Sequence, residues 1–421
     1  MAQILKTVLS WSIQLLTHPL CSYIMRILIV TPHFFPETFK CNDMAFELQR
    51  RGHKVSVLTA IPDYPKGKFF DGYGLFKKRH EIIEGVEVHR SCIIPRGNGS
   101  AIRLALNYLS YTFFATLQSL YLGLTKKYDV VIVHETSPVM VGIPAVLIKK
   151  IQRIPLHFWV LDLWPESLTA AGGIKSKPII GAFEKLTRWI YANSNTIMVS
   201  SKGFKRSICE KGDFENKILY FPNWIDNLKT PAEVVPNLPE GFNIVFAGNI
   251  GDAQDFPHLL KAAELLKDDN INFTIIGDGR ERPWVERTIK EKGLTNVRCI
   301  GRFPIETMPL FYRQADILFL ALKDVPIFSL TVPAKLQSYM SSGKPVVAMM
   351  NGEGAELIKE ADCGWSVNAT DSEALAILLR KLSKEDPEIL KRKGENGRIF
   401  SQQHFVFENC IDELERCISG E

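Results

Sequence analysis

Two groups of residues stand where chemistry could be done. The first is acidic: Asp162 and Glu166 in DLWPES, His134-Glu135 closing the apolar run 129–135, and His33 in PHFFPET with Glu37 close behind. Carboxylates and an imidazole at strand ends can hold a hydroxyl or move a proton. The second suits an anion. Gly248, Asn249, Ile250 and Gly251 follow a strand-like run, Gly277 sits in IIGDG, and Pro333 opens a helical stretch carrying Lys335, Leu336 and Gln337. Glycines allow backbone amides to approach phosphate. A lysine in the first turn of a helix is disfavoured by the dipole unless an anion sits there, so Lys335 reads as a phosphate ligand. Arg302, after Gly301, is a second cation at a strand end. The plainer alternatives are an N-cap role for Asp162, a first-turn carboxylate for Glu166, a packed loop imidazole for His33, a solvated helix start for Lys335 and a surface charge for Arg302.

These groups need a scaffold of strand ends. Short β-branched runs alternate with helical stretches at 26–31, 54–59, 129–135, 156–162 and 196–201, and a second series follows at 243–249, 272–279, 296–301, 316–322, 345–350 and 364–369. Such alternation predicts parallel sheets with crossover helices. The fold class expected is α/β, with two tandem Rossmann-like, doubly wound parallel-sheet domains facing across a cleft. Their boundaries read as 1–24, an apolar extension; 25–222, the first domain; 223–241, a proline-containing linker; 242–396, the second domain; and 397–421, a C-terminal helical segment able to cross back. Ligands bind outside the carboxyl ends of strands at switch points, so the site is expected between the domains.

Composition narrows the class. A chain of 421 residues, 46% hydrophobic and 23% charged, is an ordinary globular protein. Eight cysteines without a CxxC pair, and no His cluster at metal spacing, support neither a disulfide framework nor a zinc site. Positive charge gathers early: residues 1–200 hold 23 Lys+Arg against 13 Asp+Glu, and the remainder is net acidic. With no nucleic-acid-binding motif, a basic half points to anionic headgroups or phosphorylated ligands, or to a merely solvated surface. Residues 1–24 are apolar around Lys6 and interrupted by Pro19; translation starting at Met25 and an interfacial helix are the two readings.

Seven strings, RGHKVSVLT, IPDYPKG, DLWPES, FPNWID, FAGNIG, IIGDG and VPAKLQSYMSSGKPVVA, occur in order from about residue 50 to 348. Together they resemble glycosyltransferase family 4, of GT-B architecture. More narrowly the resemblance is to the branch serving colanic acid, capsule and O-antigen (lipopolysaccharide) assembly, which includes L-fucosamine (N-acetylfucosaminyl) transferases. It implies a retaining transferase taking a sugar from a UDP- or GDP-sugar held in the second domain, without a metal; no DxD triplet is present. The acceptor implied is a polyprenyl-pyrophosphate-linked glycan. Donor contacts then fall on Gly248, Asn249, Gly251, Gly277, Arg302, Pro333, Lys335, Leu336 and Gln337, and the reacting face on Asp162, Glu166, Glu135 and His33. The family's paired glutamates align with Ser329 and Gln337, and Asp252 and Asp255 replace its usual Arg and Lys after the glycine loop.

The stretch 101–124 is aromatic and apolar with one cation, Arg103, and reads either as a core helix or as a face for lipid. In the second case Lys126, Lys127, Lys149, Lys150, Arg153, Lys175 and Lys177 would draw it to an anionic membrane surface, giving a cytoplasmic protein peripherally associated with the inner membrane. The competing functions are a GT-B nucleotide-sugar epimerase or hydrolase and a non-catalytic GT-B partner subunit.

Overall fold

The computed structural model describes residues 24–170, 174–225 and 234–420. The apolar extension, apart from Ile24, and the middle of the 223–241 linker lie outside the described residues. The first sheet holds β1 (Arg26–Val30), β2 (Lys54–Ala60), β3 (His80–Ile83), β4 (Val86–Ser91), β5 (Val130–Glu135), β6 (Leu156–Val160), β7 (Thr196–Val199) and β8 (Ile218–Tyr220), in the order β3-β4-β2-β1-β5-β6-β7-β8. The second holds β9 (Phe242–Ala247), β10 (Ile271–Ile276), β11 (Val297–Gly301), β12 (Ile317–Ala321), β13 (Val346–Met349) and β14 (Gly364–Val367), in the order β11-β10-β9-β12-β13-β14.

Central strands such as RILIV and VVIVHE are buried on both faces, which is why they read as continuous apolar runs rather than alternating ones. Ile29 pairs with Val57 of β2 on one side and Ile132 of β5 on the other, so β1 is the centre from which the chain winds both ways. In the second sheet β9 lies between β10 and β12 in the same manner. Two switch points result, at β1/β5 and β9/β12, and the loops leaving them carry the candidate residues.

Three strands were not anticipated. β3 and β4 form an antiparallel hairpin on the edge of an otherwise parallel sheet, turning at Glu84 and Gly85 with φ of 49° and 85°, the positive pair of a two-residue turn. β8 is a three-residue edge strand. The expected break at 397 falls inside the Pro387–His404 helix, which runs on without interruption. Beyond it the Phe407–Ser419 helix packs on the first domain, burying Cys410, Ile411, Leu414 and Ile418 beside Met44 and Leu48. Ion pairs from Arg51 to Asp412 and Glu415 fasten that crossing.

Candidate active site

In the second domain, the loops after β9 and β10 lie against each other at glycines. Gly248 and Gly277 have φ of +137° and +144°, values an L side chain resists, and a Cβ on Gly277 would overlap the Gly248 carbonyl oxygen. Gly277→Ala is therefore expected to destabilise the protein by roughly 3 kcal/mol or more, read as a fall in denaturant midpoint. The amides here are largely committed. Gly248 donates to Ile276, Ile250 to Asp278, Gly277 to Gly301, and Gly251 to the Gln254 side chain. This departs from the expected amide cradle: the loop supplies close approach rather than a row of free donors.

What lies over that loop is Lys335. Pro333 is the N-cap of the Ala334–Ser341 helix rather than its first residue, and Lys335 occupies the first turn with no acidic residue beside it. A Cβ on Gly248 would come 2.5 Å from Lys335 Cε, so a side chain there would displace the lysine stem that crosses it. Its Nζ is buried without a hydrogen-bond partner and stands 3.8 Å from the centre of the Phe246 ring. The ring face offsets part of the desolvation, but burial still pulls the ammonium down to a pKa of about 7. Leu336 and Gln337 are on the buried side of the helix; at about 100° per residue, Gln337 lies far round from Lys335, and Ser338 is the residue sharing its face. Arg302 is exposed just past β11, and Asn249 and Gly251 border the loop. Asp252 pairs with Lys323, and Asp255 with His258 at 2.7 Å, so neither acid faces the lysine uncompensated.

In the first domain, Asp162 follows β6 and accepts a hydrogen bond from the Ser167 hydroxyl. Burial raises its pKa above the ordinary carboxylate value. Glu135, at the end of β5, is fully buried; one carboxyl oxygen accepts the amides of Leu161 and Asp162 at 3.3 Å each, and the other has no partner. Burial, reinforced by Asp162, pushes the Glu135 carboxyl well above its usual range. Glu135 thus acts on the backbone that carries Asp162. Glu166 is turned to the Phe204–Glu210 helix, where it takes Lys211 and the Ser207 hydroxyl.

His33 is not a lone imidazole. It stacks on Phe39 at 4.7 Å, with Nδ1 2.8 Å from Glu37 and Nε2 2.8 Å from the Arg96 guanidinium. Because arginine can only donate, Nε2 accepts and Nδ1 carries the proton given to Glu37. Glu37 also accepts the amides of Asp63 and Tyr64, and Asp63 accepts the amide of Arg96. Asp63 and Arg96 were missed in the sequence; Asp63, between the two prolines of IPDYPKG, was the available signal.

The lobes meet beside this cleft. Ser201 donates to the carbonyl of Leu330, and Ile327, from the short Pro326–Ser329 helix, is buried among the first-domain core. A Cβ on Gly203 would lie 2.9 Å from the Leu330 carbonyl oxygen and 2.5 Å from Glu353 Cγ, so both the segment leading to Lys335 and the helix after β13 rest directly on the opposite domain.

Residues 40–224 match the model described as "Glycosyl transferase 4-like domain", and residues 241–385 the model "Glycosyl transferases group 1". The probable glycosyltransferase WbjE of Pseudomonas aeruginosa is 28% identical over 348 residues, 79% of this chain and 84% of that protein. The putative colanic acid biosynthesis glycosyl transferase WcaI of Escherichia coli K12 is 23% identical over 76% of this chain and 82% of its own. Among solved structures, sucrose-phosphate synthase from Thermosynechococcus elongatus superposes with a TM-score of 0.73 at 15% identity, covering 94% of this chain and 98% of that one. Anabaena HepE in complex with UDP gives 0.69 at 14%, over 94% and 100%. With a 4-like domain followed by a group 1 domain, arranged as the two facing α/β lobes of the GT-B fold, the chain is a glycosyltransferase.

Proposed function

We propose that the protein transfers a sugar, with retention at the anomeric carbon, from a UDP- or GDP-sugar to a polyprenyl-pyrophosphate-linked glycan in polysaccharide synthesis. The observation that carries this is the buried, unpartnered Lys335 ammonium over Gly248. An isolated buried cation is costly, and a donor diphosphate supplies the missing counter-charge. HepE structures are described with UDP and with UDP-glucose, and WcaI and the amylovoran glycosyltransferase AmsK of Erwinia amylovora carry polysaccharide names, which favours this class of donor and product. Transferase names among the relatives favour transfer over an epimerase, a hydrolase or a non-catalytic subunit. An N-acetyl-L-fucosamine donor is the first to try, on the strength of the motif resemblance.

In this scheme the bond from C1 to the diphosphate oxygen breaks and a bond from C1 to the acceptor oxygen forms on the same face. The acceptor proton passes to the departing diphosphate. Lys335, with Arg302 at the cleft rim, neutralises the leaving group, and Asp162 stabilises the positive charge developing at the ring. No protein nucleophile is needed. The test is release of nucleoside diphosphate from a panel of UDP- and GDP-sugars, with and without a lipid-pyrophosphate sugar. Turnover that ignores the lipid acceptor would sink the transfer reading.

Docking on an anionic membrane at the cytoplasmic face of the inner membrane completes the proposal. No helix among the described residues is long and apolar enough to cross a membrane. The Ala101–Thr125 helix instead turns many large apolar side chains outward: Leu109, Phe113, Leu117 and Leu124 are exposed, while Asn107, Tyr111, Ala115, Ser119 and Leu122 face the core. A helix that keeps this row of leucine and phenylalanine on its outer side has that apolar face unmatched by protein. Lys127, Lys150, Arg153, Lys175 and Lys177 are exposed, whereas Lys126 and Lys149 are engaged internally with Glu87 and Asn195. Phe113→Glu with Leu117→Glu is expected to remove co-sedimentation with anionic vesicles and leave soluble-donor binding intact; retained sedimentation would refute the assignment of this face.

A further inference from the structure

At the far edge of the first sheet, away from the cleft, the β3–β4 hairpin gathers two imidazoles and a carboxylate. His80 and His89 are directly paired across the strands, and Glu87 lies two residues before His89, so all three project from one face of the sheet. The imidazole rings stack at 4.8 Å. Glu87 receives both: His80 Nε2 stands 2.9 Å from one oxygen and His89 Nε2 3.5 Å from the other, and one ligand atom from each residue falls within 4.8 Å of the rest. His89 Nε2 is buried with no hydrogen-bond partner, in a residue only 7% exposed. A buried ring nitrogen aimed at a carboxylate yet too far to bond it has a lone pair or proton unspent.

We propose that His80, Glu87 and His89 bind a divalent late first-row transition ion, Zn2+ foremost, with Lys126 as a built-in competitor. Two imidazoles and one carboxylate are a borderline donor set suited to zinc, leaving a fourth position for water. His80 is half-exposed and can close the remaining distance, since tetrahedral ligands sit about 3.3 Å apart. The Lys126 ammonium occupies Glu87 and must leave when the ion arrives. Lys126 caps the end of the exposed apolar helix and is itself partly exposed, so its release into solvent meets no obstruction. The linear spacing conceals this set, because only the hairpin register brings residue 80 beside residue 89.

The test uses the full chain stripped with a chelator and then titrated with Zn2+ against a chromophoric competitor, with Co2+ absorption as a second readout. One site of the expected kind loses at least about tenfold in affinity in His89→Ala and in Glu87→Gln, and gains severalfold in Lys126→Met. The Co2+ bands of tetrahedral coordination should vanish with His89. If His89→Ala fails to fold, judged by near-ultraviolet circular dichroism, His80→Ala at the exposed end of the set gives the same reading. Affinity indifferent to these histidines, or weakened by Lys126→Met, overturns the proposal. UDP binding should be the same with and without Zn2+, since the hairpin is remote from the cleft.

Discussion

Lys335→Met is expected to cut kcat/KM by about 10²–10³-fold or more and, in the same protein, to raise the melting temperature of the ligand-free chain. The two effects have one cause. In the free protein the ammonium is buried against Phe246 with no acceptor, a cost of roughly 1–3 kcal/mol that methionine removes while keeping the stem over Gly248. The sign with pH follows from the depressed pKa of about 7 against an ordinary value of 10.5. The unfolded chain then holds more proton than the folded one between those values, so wild-type stability rises with pH across that window. The advantage of the methionine variant is therefore largest below pH 7 and fades as the lysine loses its proton. Nucleotide binding runs the other way. A diphosphate favours the charged lysine, so UDP binding takes up a proton above pH 7 and its Kd should weaken by up to about tenfold per pH unit. Calorimetry in buffers of different ionisation heat measures that uptake directly. A pH-independent Kd in the wild type, or a lower melting temperature in Lys335→Met, would remove the lysine from the diphosphate site.

The central strands were readable because burial on both faces leaves unbroken runs such as IVFA and ILFLA, and Pro333 with Lys335 carried a local electrostatic oddity that needs no tertiary knowledge. Edge elements were not readable. HEII is an edge strand only half covered, and VEVHRS, though almost wholly buried, fills its place with paired charge and histidine, so neither looks like a core strand. The glycine loop was visible as glycine, but whether its amides are free depends on the neighbouring end of β10, which takes those of Gly248 and Ile250. Likewise His33 looked solitary because Arg96 and Asp63 come from two other loops, and Glu166 looked available because Lys211 arrives from a later helix. Strand ends could be located from sequence; the partners of each side chain there could not.

Asp162→Asn separates transfer from donor capture. Asparagine keeps the shape and can still accept the Ser167 hydroxyl, so the turn after β6 should hold, and UDP affinity, which rests on the other lobe, should be unchanged. In the proposed scheme what disappears is the charge stabilising the ring carbon, and kcat should fall by about 10²–10⁴-fold. Burial raises the Asp162 pKa, so wild-type activity should be lost as the pH falls through that elevated value, where the carboxylate takes its proton. The variant has no such group, and its residual activity should lack that acid limb. Glu135→Gln provides the contrast. Glu135 serves the amides of Leu161 and Asp162 through one oxygen, so an amide that still offers an oxygen to them should retain most of the turnover. If Asp162 were only a fastener for the Ser167 turn, Asp162→Asn would lower stability while leaving kcat and its pH profile in place, and the charge at the reacting face would have to come from elsewhere in the first lobe.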